Sequence, residues 1–447
     1  YEFLTENSLK SLPFEKIGYK EPDFYFFKQN LDLEKEYNKS INIKSLFSLN
    51  GVGICSKRDK VAFQNTKEEL IKILEDFRDL EEDEIKTKYN VAKESRDQKV
   101  SYAKNNILDF GIKDNYIVKI NYRLFDEKWT YFTDKSRGFI AYPVYQIMKH
   151  FTKDNIGLIT NRQCQTENYQ HTFITKVMND LHITETANAN PYTFPLYLYP
   201  DENSLTNEPV PNFNMDIIKD IEKSLNLNFG NWTFSQRVQS TRVQSLEKIG
   251  GTEVPLPKEK AGGSEVLLPK EKIGESEVLL PKKEFQALDL FDYIYAVLHS
   301  PSYREKYKEF LKIDFPRVPY PKPETFWQLV SLGGKLRSLH LLEDTSLDER
   351  IIDIKGEGEL LIKNSLNKKD FSIEDEKVEL RLNDEVSVVN IPLVAWEFYI
   401  GGYQPAQKWL KDRVGRVLNR ADMKHYNRII NALCKTDLIM KKIDEVL

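Results

Sequence analysis

A repeated 12-residue unit divides this chain into two parts and limits how the rest can fold. Three consecutive copies span Glu247–Lys258 (EKIGGTEVPLPK), Glu259–Lys270 (EKAGGSEVLLPK) and Glu271–Lys282 (EKIGESEVLLPK), and a doubled pentamer precedes them at Gln236–Ser245. The units could build a small β-solenoid, but their period is shorter than that of the common repeat folds. Near-identical copies are more typical of a recent DNA duplication that an exposed loop tolerates. We therefore predict a low-complexity repeat insert over residues 236–284 that acts as a linker.

The two flanking parts have the composition of folded domains. The chain has 447 residues, more than a usual single domain, and 40% of them are hydrophobic, which allows sizeable cores. A capping box at Thr66–Glu69 and a Ser300-Pro301 pair each precede residues at helical spacing, whereas residues 116–160 mostly alternate as strands do. Because strands and helices mix without a βαβ rhythm, we predict an α+β fold of several lobes with a helical C-terminus.

The charges are segregated along the chain although their totals nearly cancel. The formal net charge is −4, which excludes a global basic signature, so any nucleic-acid binding must depend on local charge. From Gly401 to Leu447 there are ten lysines or arginines against five aspartates or glutamates. This C-terminal segment is therefore a candidate for contact with a polyanion.

The motifs of the common catalytic classes are missing from the sequence. An amino-methyltransferase needs a polar-Pro-Pro-aromatic loop, and Asn190-Pro191-Tyr192 lacks the second proline, so we interpret it as a turn. There is also no glycine-rich loop for S-adenosylmethionine and no GxxxxGK[ST] phosphate loop. We therefore expect no cofactor in this chain and no catalysis by it alone.

Two alternatives to DNA recognition remain open at this point. Asp353 followed by Asp375-Glu376-Lys377 loosely resembles the acidic and lysine residues of a metal-dependent nuclease, although a solvated hairpin edge explains the pattern as well. The segregated charges could instead serve a protein-interaction scaffold of a defence complex. Cleavage of DNA in the presence of a divalent metal would favour the nuclease, and indifference to DNA would favour the scaffold.

Cysteine usage and hydropathy indicate the compartment. Cys55, Cys164 and Cys434 lie far apart without metal-ligand spacing, which is typical of a reducing cytoplasm and argues against a structural zinc site. No uninterrupted apolar run reaches the roughly 18 residues of a membrane span. We expect a cytoplasmic protein without a membrane segment or a metal site.

Four clusters combine basic, amide and aromatic residues, the types that duplex DNA recognition uses. Arginine pairs with guanine, asparagine or glutamine with adenine, and either basic residue neutralises phosphates. The candidate DNA-binding residues are Lys57, Arg58, Arg123, Asn161, Arg162, Gln163, Gln165, Tyr403, Gln404, Lys408, Lys411 and Arg413. Arg123 could equally form a structural salt bridge with Asp126.

Different roles follow from the composition of two of these clusters. Arg162 and Gln163 lie in a segment rich in planar hydrogen-bonding groups, so we expect them to read bases. Lys408, Lys411 and Arg413 lie at helical spacing and are expected to hold phosphates. The alternative for Arg162 is a salt bridge that only supports its loop.

Several longer motifs occur in one order along the chain. They are LDLFDYIYAVLHSPSYREKYKEFLKIDFPRVPYP within Leu288–Glu343, WEFYIGGYQPAQKWLKDRVGRVLNRAD at Trp396–Asp422, YRLFD at Tyr122–Asp126, GLITNRQ at Gly157–Gln163 and FPLYLYP at Phe194–Pro200. Together they resemble the C-terminal specificity region of Type ISP restriction-modification enzymes and of related adenine-specific methyltransferases with fused restriction activity. The repeat insert is the main departure from the family pattern.

This resemblance implies recognition of a specific double-stranded DNA sequence for a bacterial adenine-N6 methyltransferase or restriction-modification enzyme. It implies a methyltransferase domain, in the same polypeptide or a separate chain, where S-adenosylmethionine is expected to bind. Residues 1–50 would connect to that domain, and residues 51–235 and 285–447 would form the two parts of the target-recognition region. The family's catalytic loop has no counterpart here, so no catalytic residue carries over, and whether the parent enzyme also cleaves DNA stays open.

Deleting Glu247–Lys282 should leave the melting temperature of the chain nearly unchanged. The physical reason is that each doubling of a flexible loop's length changes its closure free energy by only about 0.6 kcal/mol. Thermal unfolding of the deletion variant checks this, with a variant of unchanged length and scrambled repeat sequence as the control. A large fall in melting temperature for both variants would mean that the repeats are built into the fold.

Overall fold

The computed structural model describes residues 11, 31–184, 189–201, 208–230, 284–363 and 366–447. The predicted repeat insert, except for its last residue Glu284, lies outside the described residues, as does most of the predicted connector over residues 1–50.

The first part of the chain is mostly short elements. Its helices are α1 (Leu31–Asn38), α2 (Ile43–Leu46), α3 (Asp59–Ala62), α4 (Lys67–Asp79), α5 (Glu82–Lys88), α6 (Val100–Phe110), α7 (Tyr145–Met148) and α8 (Met215–Leu225). Its strands are β1 (Ile41–Asn42), β2 (Gly51–Val52), β3 (Ile117–Arg123), β4 (Asp126–Tyr131), β5 (Gly157–Asn161), β6 (Thr172–Thr175), β7 (Met178–Asn179), β8 (Pro191–Pro195), β9 (Tyr197–Leu198), β10 (Val210–Pro211) and β11 (Asn228–Gly230).

The second part contains the longer helices and one further sheet. Its helices are α9 (Ala287–His299), α10 (Pro301–Lys306), α11 (Lys308–Leu311), α12 (Pro323–His340), α13 (Leu393–Glu397), α14 (Pro405–Lys411) and α15 (Arg420–Asp444). Its strands are β12 (Glu284–Gln286), β13 (Arg317–Val318), β14 (Asp353–Lys355), β15 (Phe371–Glu374), β16 (Lys377–Arg381) and β17 (Ser387–Pro392). The predicted α+β class with a C-terminal helix is confirmed.

Local capping signals place the helix starts. The Thr66 hydroxyl accepts a hydrogen bond from the Glu69 amide at 3.1 Å, and the Glu69 carboxylate accepts one from the Thr66 amide at 3.1 Å, which begins α4. Ser300 caps α10, with Pro301 as its first residue. The prediction of strands over residues 116–160 holds for β3, β4 and β5 but not for residues 132–156. Pro143, which has no amide hydrogen for a ladder, lies in that stretch, and turns and α7 occupy it.

Each part contains small sheets that are mostly antiparallel, although β3 and β7 pair in parallel. In the first part the strand orders are β2-β8-β5-β6 and β4-β3-β7, and in the second part the order is β14-β17-β16-β15. Two pairs of short strands connect distant segments. Ile41 of β1 pairs with Val318 of β13, and Phe229 of β11 pairs with Phe285 of β12 in parallel. The β11–β12 pair therefore places the described residues on either side of the repeats next to each other.

The main core surrounds α9, every residue of which is buried. Helix α12 crosses it so closely that a Cβ atom added to Gly333 would lie 1.9 Å from the Asp292 carbonyl oxygen. Beside this contact Arg337 donates two hydrogen bonds to the Asp292 carboxylate, at 2.7 and 3.0 Å. Among the described residues, no helix is both long and apolar enough to cross a lipid bilayer.

Gly333→Ala should destabilise the protein, because the added methyl group overlaps a backbone atom that cannot move without separating α9 from α12. Overpacking of this kind typically costs about 1–3 kcal/mol of unfolding free energy. Urea unfolding measures the loss. Gly334→Ala is the matched control, since its nearest neighbour is a carboxylate oxygen at 3.2 Å and alanine gains about 1 kcal/mol in helix propensity. Equal losses in both variants would contradict the close helix contact.

Candidate nucleic-acid interface

A buried arginine joins the two parts of the chain. One guanidinium nitrogen of Arg413 donates to the Asp126 carboxylate at 2.6 Å, and another donates to the Trp409 carbonyl oxygen at 3.0 Å. The guanidinium carbon lies 3.7 Å from the centroid of the Trp409 ring, which in turn stacks on Tyr426. Because Asp126 begins β4, this arrangement holds the end of α14 against the first part of the chain. We call these three residues, Asp126, Trp409 and Arg413, the Arg413 joint.

A second contact reinforces the joint. The Nε2 atom of His425 lies 2.7 Å from the Phe125 carbonyl oxygen, so this nitrogen carries a proton and donates it. Burial lowers the pKa of His425, which favours the neutral ring. The second turn of α15 is thereby attached to the turn between β3 and β4.

Arg123 is buried in an ion pair as well. Its guanidinium donates to the Asp180 carboxylate at 2.9 Å and lies 4.0 Å from the centre of the Tyr122 ring. Burial raises the pKa of Asp180, while the nearby Arg123 charge acts to lower it. The sequence offered a salt bridge between Arg123 and Asp126, but in the structure Arg123 pairs with Asp180 and Asp126 pairs with Arg413.

The turn before α14 is hydrogen-bonded to the segment before β6 and to the loop that follows β7. The amides of Gly401 and Gly402 donate to the carbonyl oxygens of Gln170 and Thr184, at 2.8 and 2.9 Å. The Tyr403 hydroxyl accepts from the Leu124 amide at 2.9 Å and donates to the Ile183 carbonyl oxygen at 2.8 Å. Tyr403 is therefore a buried support of this turn.

A glycine is required where this turn meets the loop. Gly401 has a φ of 67°, and a Cβ atom there would lie 2.6 Å from the Thr184 carbonyl oxygen. The Thr184 hydroxyl donates to the Asn161 side chain at 3.4 Å, and Asn161 donates to the Ala189 carbonyl oxygen at 3.2 Å. The end of β5 and the start of α14 are connected through Thr184.

The candidates that follow β5 are exposed, in contrast to Asn161. Gln163 and Gln165 lie on the surface, and the Arg162 side chain is 57% exposed. The Nε atom of Arg162 donates to the Asp314 carboxylate at 3.2 Å, an exposed pair of the kind that contributes little to stability. Arg162 is therefore accessible to a ligand even though it has a protein partner.

The remaining N-terminal candidates differ from each other. Lys57 is exposed, whereas the Arg58 side chain is only 7% exposed and lies 3.9 Å from the Glu94 carboxylate. Burial lowers the pKa of Arg58. Only Lys57 of this pair faces solvent.

A groove of about 640 Å³ beside α14 is lined by two of the predicted DNA-binding residues, Gln404 and Lys411. We call it the α14 groove; its lining residues are Leu366, Asn367, Lys368, Phe371, Ile373, Trp396, Glu397, Gln404, Gln407 and Lys411. Lys408 pairs instead with Asp412 at 2.8 Å. Asn367, Lys368 and Gln407 line the groove without having been predicted from the sequence, although Asn367-Lys368-Lys369 is itself an amide next to basic residues.

The residues of the alternative nuclease site lie apart. Asp353 is on β14 and Asp375 precedes β16, and β17 separates these strands, a distance of about 10 Å across the sheet. The Asp353 carboxylate accepts from Asn390 at 3.0 Å and pairs with Arg350 at 2.6 Å. Within the described part of the chain, no group of three or more His, Cys, Asp or Glu residues is arranged to hold a metal ion.

Asp126→Asn should destabilise the chain by about 3–5 kcal/mol, because it leaves the buried Arg413 guanidinium without its counter-charge. Chemical denaturation gives the free energy of unfolding. The neighbouring Glu127→Gln is the control, since Glu127 pairs with Lys119 on the surface and loss of such a pair costs about 0–1 kcal/mol. If the two variants unfold alike, the Arg413 joint does not hold the two parts together.

The family of the chain follows from comparison with known proteins. The family model described as the Type ISP C-terminal specificity domain matches residues 45–442. No curated protein sequence matches the chain.

Three solved structures are similar in fold. The ATP-dependent Type ISP restriction-modification enzyme LlaBIII bound to DNA has a TM-score of 0.59 at 14% identity, covering 92% of this chain and 24% of that one. A DrdV-DNA complex has a TM-score of 0.62 at 17% identity, with coverages of 99% and 41%. A nuclease-deletion mutant of the Type ISP enzyme LlaGI, in complex with a DNA substrate mimic, has a TM-score of 0.58 at 16% identity, with coverages of 99% and 37%.

The chain thus spans between about a quarter and two fifths of the length of these structures. At these identities the similarity concerns the fold alone, whereas the family model covers most of the sequence. The chain belongs to the Type ISP C-terminal specificity domain family.

Proposed function

We propose that this chain recognises a specific sequence in double-stranded DNA as the specificity region of a restriction-modification enzyme. The observation that carries the proposal is the match to a specificity-domain family over residues 45–442. The three similar structures are all complexes with DNA or a DNA mimic, which supports duplex DNA as the partner.

The exposed candidates perform the recognition. Arg162, Gln163 and Gln165 lie together after β5, and their planar groups suit the donor and acceptor patterns of base edges. Lys57 and Lys411 are exposed cations suited to binding phosphates. Gln404 adds an amide to the α14 groove that Lys411 also lines. Lys408, which already has Asp412 as a partner, contributes a weaker phosphate contact.

The buried candidates position these groups. Arg413 and Arg123 are bonded to buried carboxylates, and Asn161 and Tyr403 are bonded to backbone groups of the loop between β7 and β8. Because these side chains are buried, we assign them no direct contact with DNA. Their common role is to keep the loop after β5 and the α14 groove in a fixed relative position. One duplex then contacts both surfaces.

The parent enzyme would contain a further domain that acts on the selected DNA. We propose that an adenine-N6 methyltransferase domain, on the same polypeptide or a separate chain, binds S-adenosylmethionine and modifies the DNA that this region selects. Such a domain extrudes its target base from the duplex, so a separate region must hold the surrounding sequence. Residues 1–50 would connect to it, and the assembly would work in the bacterial cytoplasm.

Arg162→Ala and Lys411→Ala should weaken DNA binding in different ways. Losing a base-reading arginine costs about 1–3 kcal/mol on the preferred duplex and relaxes the preference at one base pair. Losing a phosphate contact weakens binding to every duplex and lowers the salt slope by about one unit. Fluorescence anisotropy over a salt series measures both, using a duplex selected by the unmodified chain from a randomised pool and a scrambled duplex.

The control for this experiment is Lys219→Ala, an exposed lysine of α8 that already pairs with Asp216. It should bind both duplexes as the unmodified chain does. If Arg162→Ala and Lys411→Ala lose affinity equally on both duplexes, the division between base reading and phosphate contact is wrong. If the unmodified chain shows no preference for any duplex, the proposed function is wrong.

A further inference from the structure

An exposed isoleucine lies on the edge strand of the C-terminal sheet. Strand β15 is the last strand in the order β14-β17-β16-β15, and alternate residues of a strand share a face, so Phe371 and Ile373 point the same way. The Phe371 ring packs edge-on against Trp396, with the ring centroids 5.2 Å apart. Ile373, two residues further on, is 49% exposed, and both residues line the α14 groove.

Amide groups face this apolar strip. Asn367 is exposed just before β15, and Gln404 lies across the groove immediately before α14. Within the part of the chain that the structure describes, the Gln404 amide makes no hydrogen bond. By contrast, the Gln407 amide donates to the Trp396 carbonyl oxygen at 3.1 Å and accepts from Lys411 at 3.3 Å. The Asn367 side chain accepts a hydrogen bond from the Asp370 amide in the capping box at Lys368–Asp370, so its NH2 group and the Gln404 amide are the groups available to a ligand in the groove.

The charges of the groove favour an anionic ligand at its rim. Lys368 and Lys411 line it, and neither pairs with a carboxylate among the described residues, unlike Lys408 with Asp412. Glu397 supplies one carboxylate, a group that accepts a hydrogen bond from the amino group of cytosine. Two cations, three amide side chains, one carboxylate and an exposed isoleucine therefore line one groove.

We propose that the α14 groove is a second sequence-reading site for duplex DNA, in addition to the loop after β5. In this site the Asn367 and Gln404 amides bond to an adenine edge, and Ile373 contacts the methyl group of a thymine. Lys368 and Lys411 hold the flanking phosphates. This inference rests on the proposed function and adds the residues that determine specificity in the second part of the chain.

The β15–β16 hairpin limits how the duplex approaches. Its turn is Asp375-Glu376, and two carboxylates at the tip are repelled by phosphates, so the tip does not enter a DNA groove first. The face that carries Ile373 lies along the base edges instead.

The test compares base preferences of the full chain and of its variants, selected from a pool of randomised duplexes. Asn367→Ala, Gln404→Ala and Ile373→Ala should each reduce discrimination by roughly 5- to 150-fold at base pairs other than the one affected by Arg162→Ala. Ile354→Ala is the matched control, because Ile354 is also an exposed isoleucine, 38% accessible, on the other edge strand of the same sheet. It should select the same sequence as the unmodified chain.

The outcomes separate this inference from the proposed function. If the unmodified chain selects a sequence and all three groove variants select it with unchanged discrimination, the groove does not read DNA, although the proposed function stands. If the unmodified chain binds duplexes without preference, both fail. Melting temperatures exclude misfolding as the cause of a lost preference, since they should stay nearly unchanged for Gln404→Ala and Ile373→Ala and fall only slightly for Asn367→Ala, which removes a helix cap.

Discussion

The buried ion pair between Arg413 and Asp126 holds the end of α14 against the first part of the chain, beside the hydrophobic cores that the two parts share. Its residues are 287 positions apart in the sequence, and one belongs to each part of the chain. The flat face of the Arg413 guanidinium packs against the Trp409 ring. Its nitrogens donate hydrogen bonds to the Asp126 carboxylate and the Trp409 carbonyl oxygen. A lysine, with a single point of charge, could not make these three contacts together.

A fixed connection of this kind suits the proposed function, in which this region selects DNA for another domain. Recognition over several base pairs requires that separate reading groups keep their spacing, because each depends on matching its own base edge. The Gly401 contact with Thr184 and the Tyr403 bonds add backbone connections beside the Arg413 joint. Buried titratable side chains also form hydrogen bonds within the core. Burial lowers the pKa of His340 to about 3, and this neutral ring bridges the Tyr295 and Thr436 hydroxyls.

The sequence predicted those features that depend on neighbouring residues. The capping box at Thr66–Glu69, the Ser300-Pro301 helix start and the α+β class follow from local spacing, and the family follows from motifs of five or more residues. Burial could not be predicted in the same way. Arg123 and Arg413 lie in segments whose composition is typical of exposed basic clusters. Both are buried in ion pairs with carboxylates that are distant in the sequence, those of Asp180 and Asp126.

The α14 groove was unpredictable for a related reason. Asn367, Ile373 and Gln404 are separated by tens of residues, and the pairing of β15 at the sheet edge and the docking of α14 bring them together. The repeats are predicted to be the opposite case, a conspicuous sequence feature with little effect on the fold. Because β11 and β12 pair in parallel, with the Phe229 and Phe285 rings 5.3 Å apart, the described ends on either side of the repeats are held by their own contacts.

The most direct test of this account is site-specific photo-cross-linking to a single short duplex that carries the selected sequence. A photoreactive residue is placed at Gln163 in one variant and at Gln404 in another, and the cross-linked nucleotides are mapped. The account predicts that both positions cross-link to the same duplex, each at its own fixed base pairs. Cross-linking from only one of the two positions, or at base pairs that vary from molecule to molecule, would contradict the claim that the Arg413 joint holds both surfaces on one DNA site.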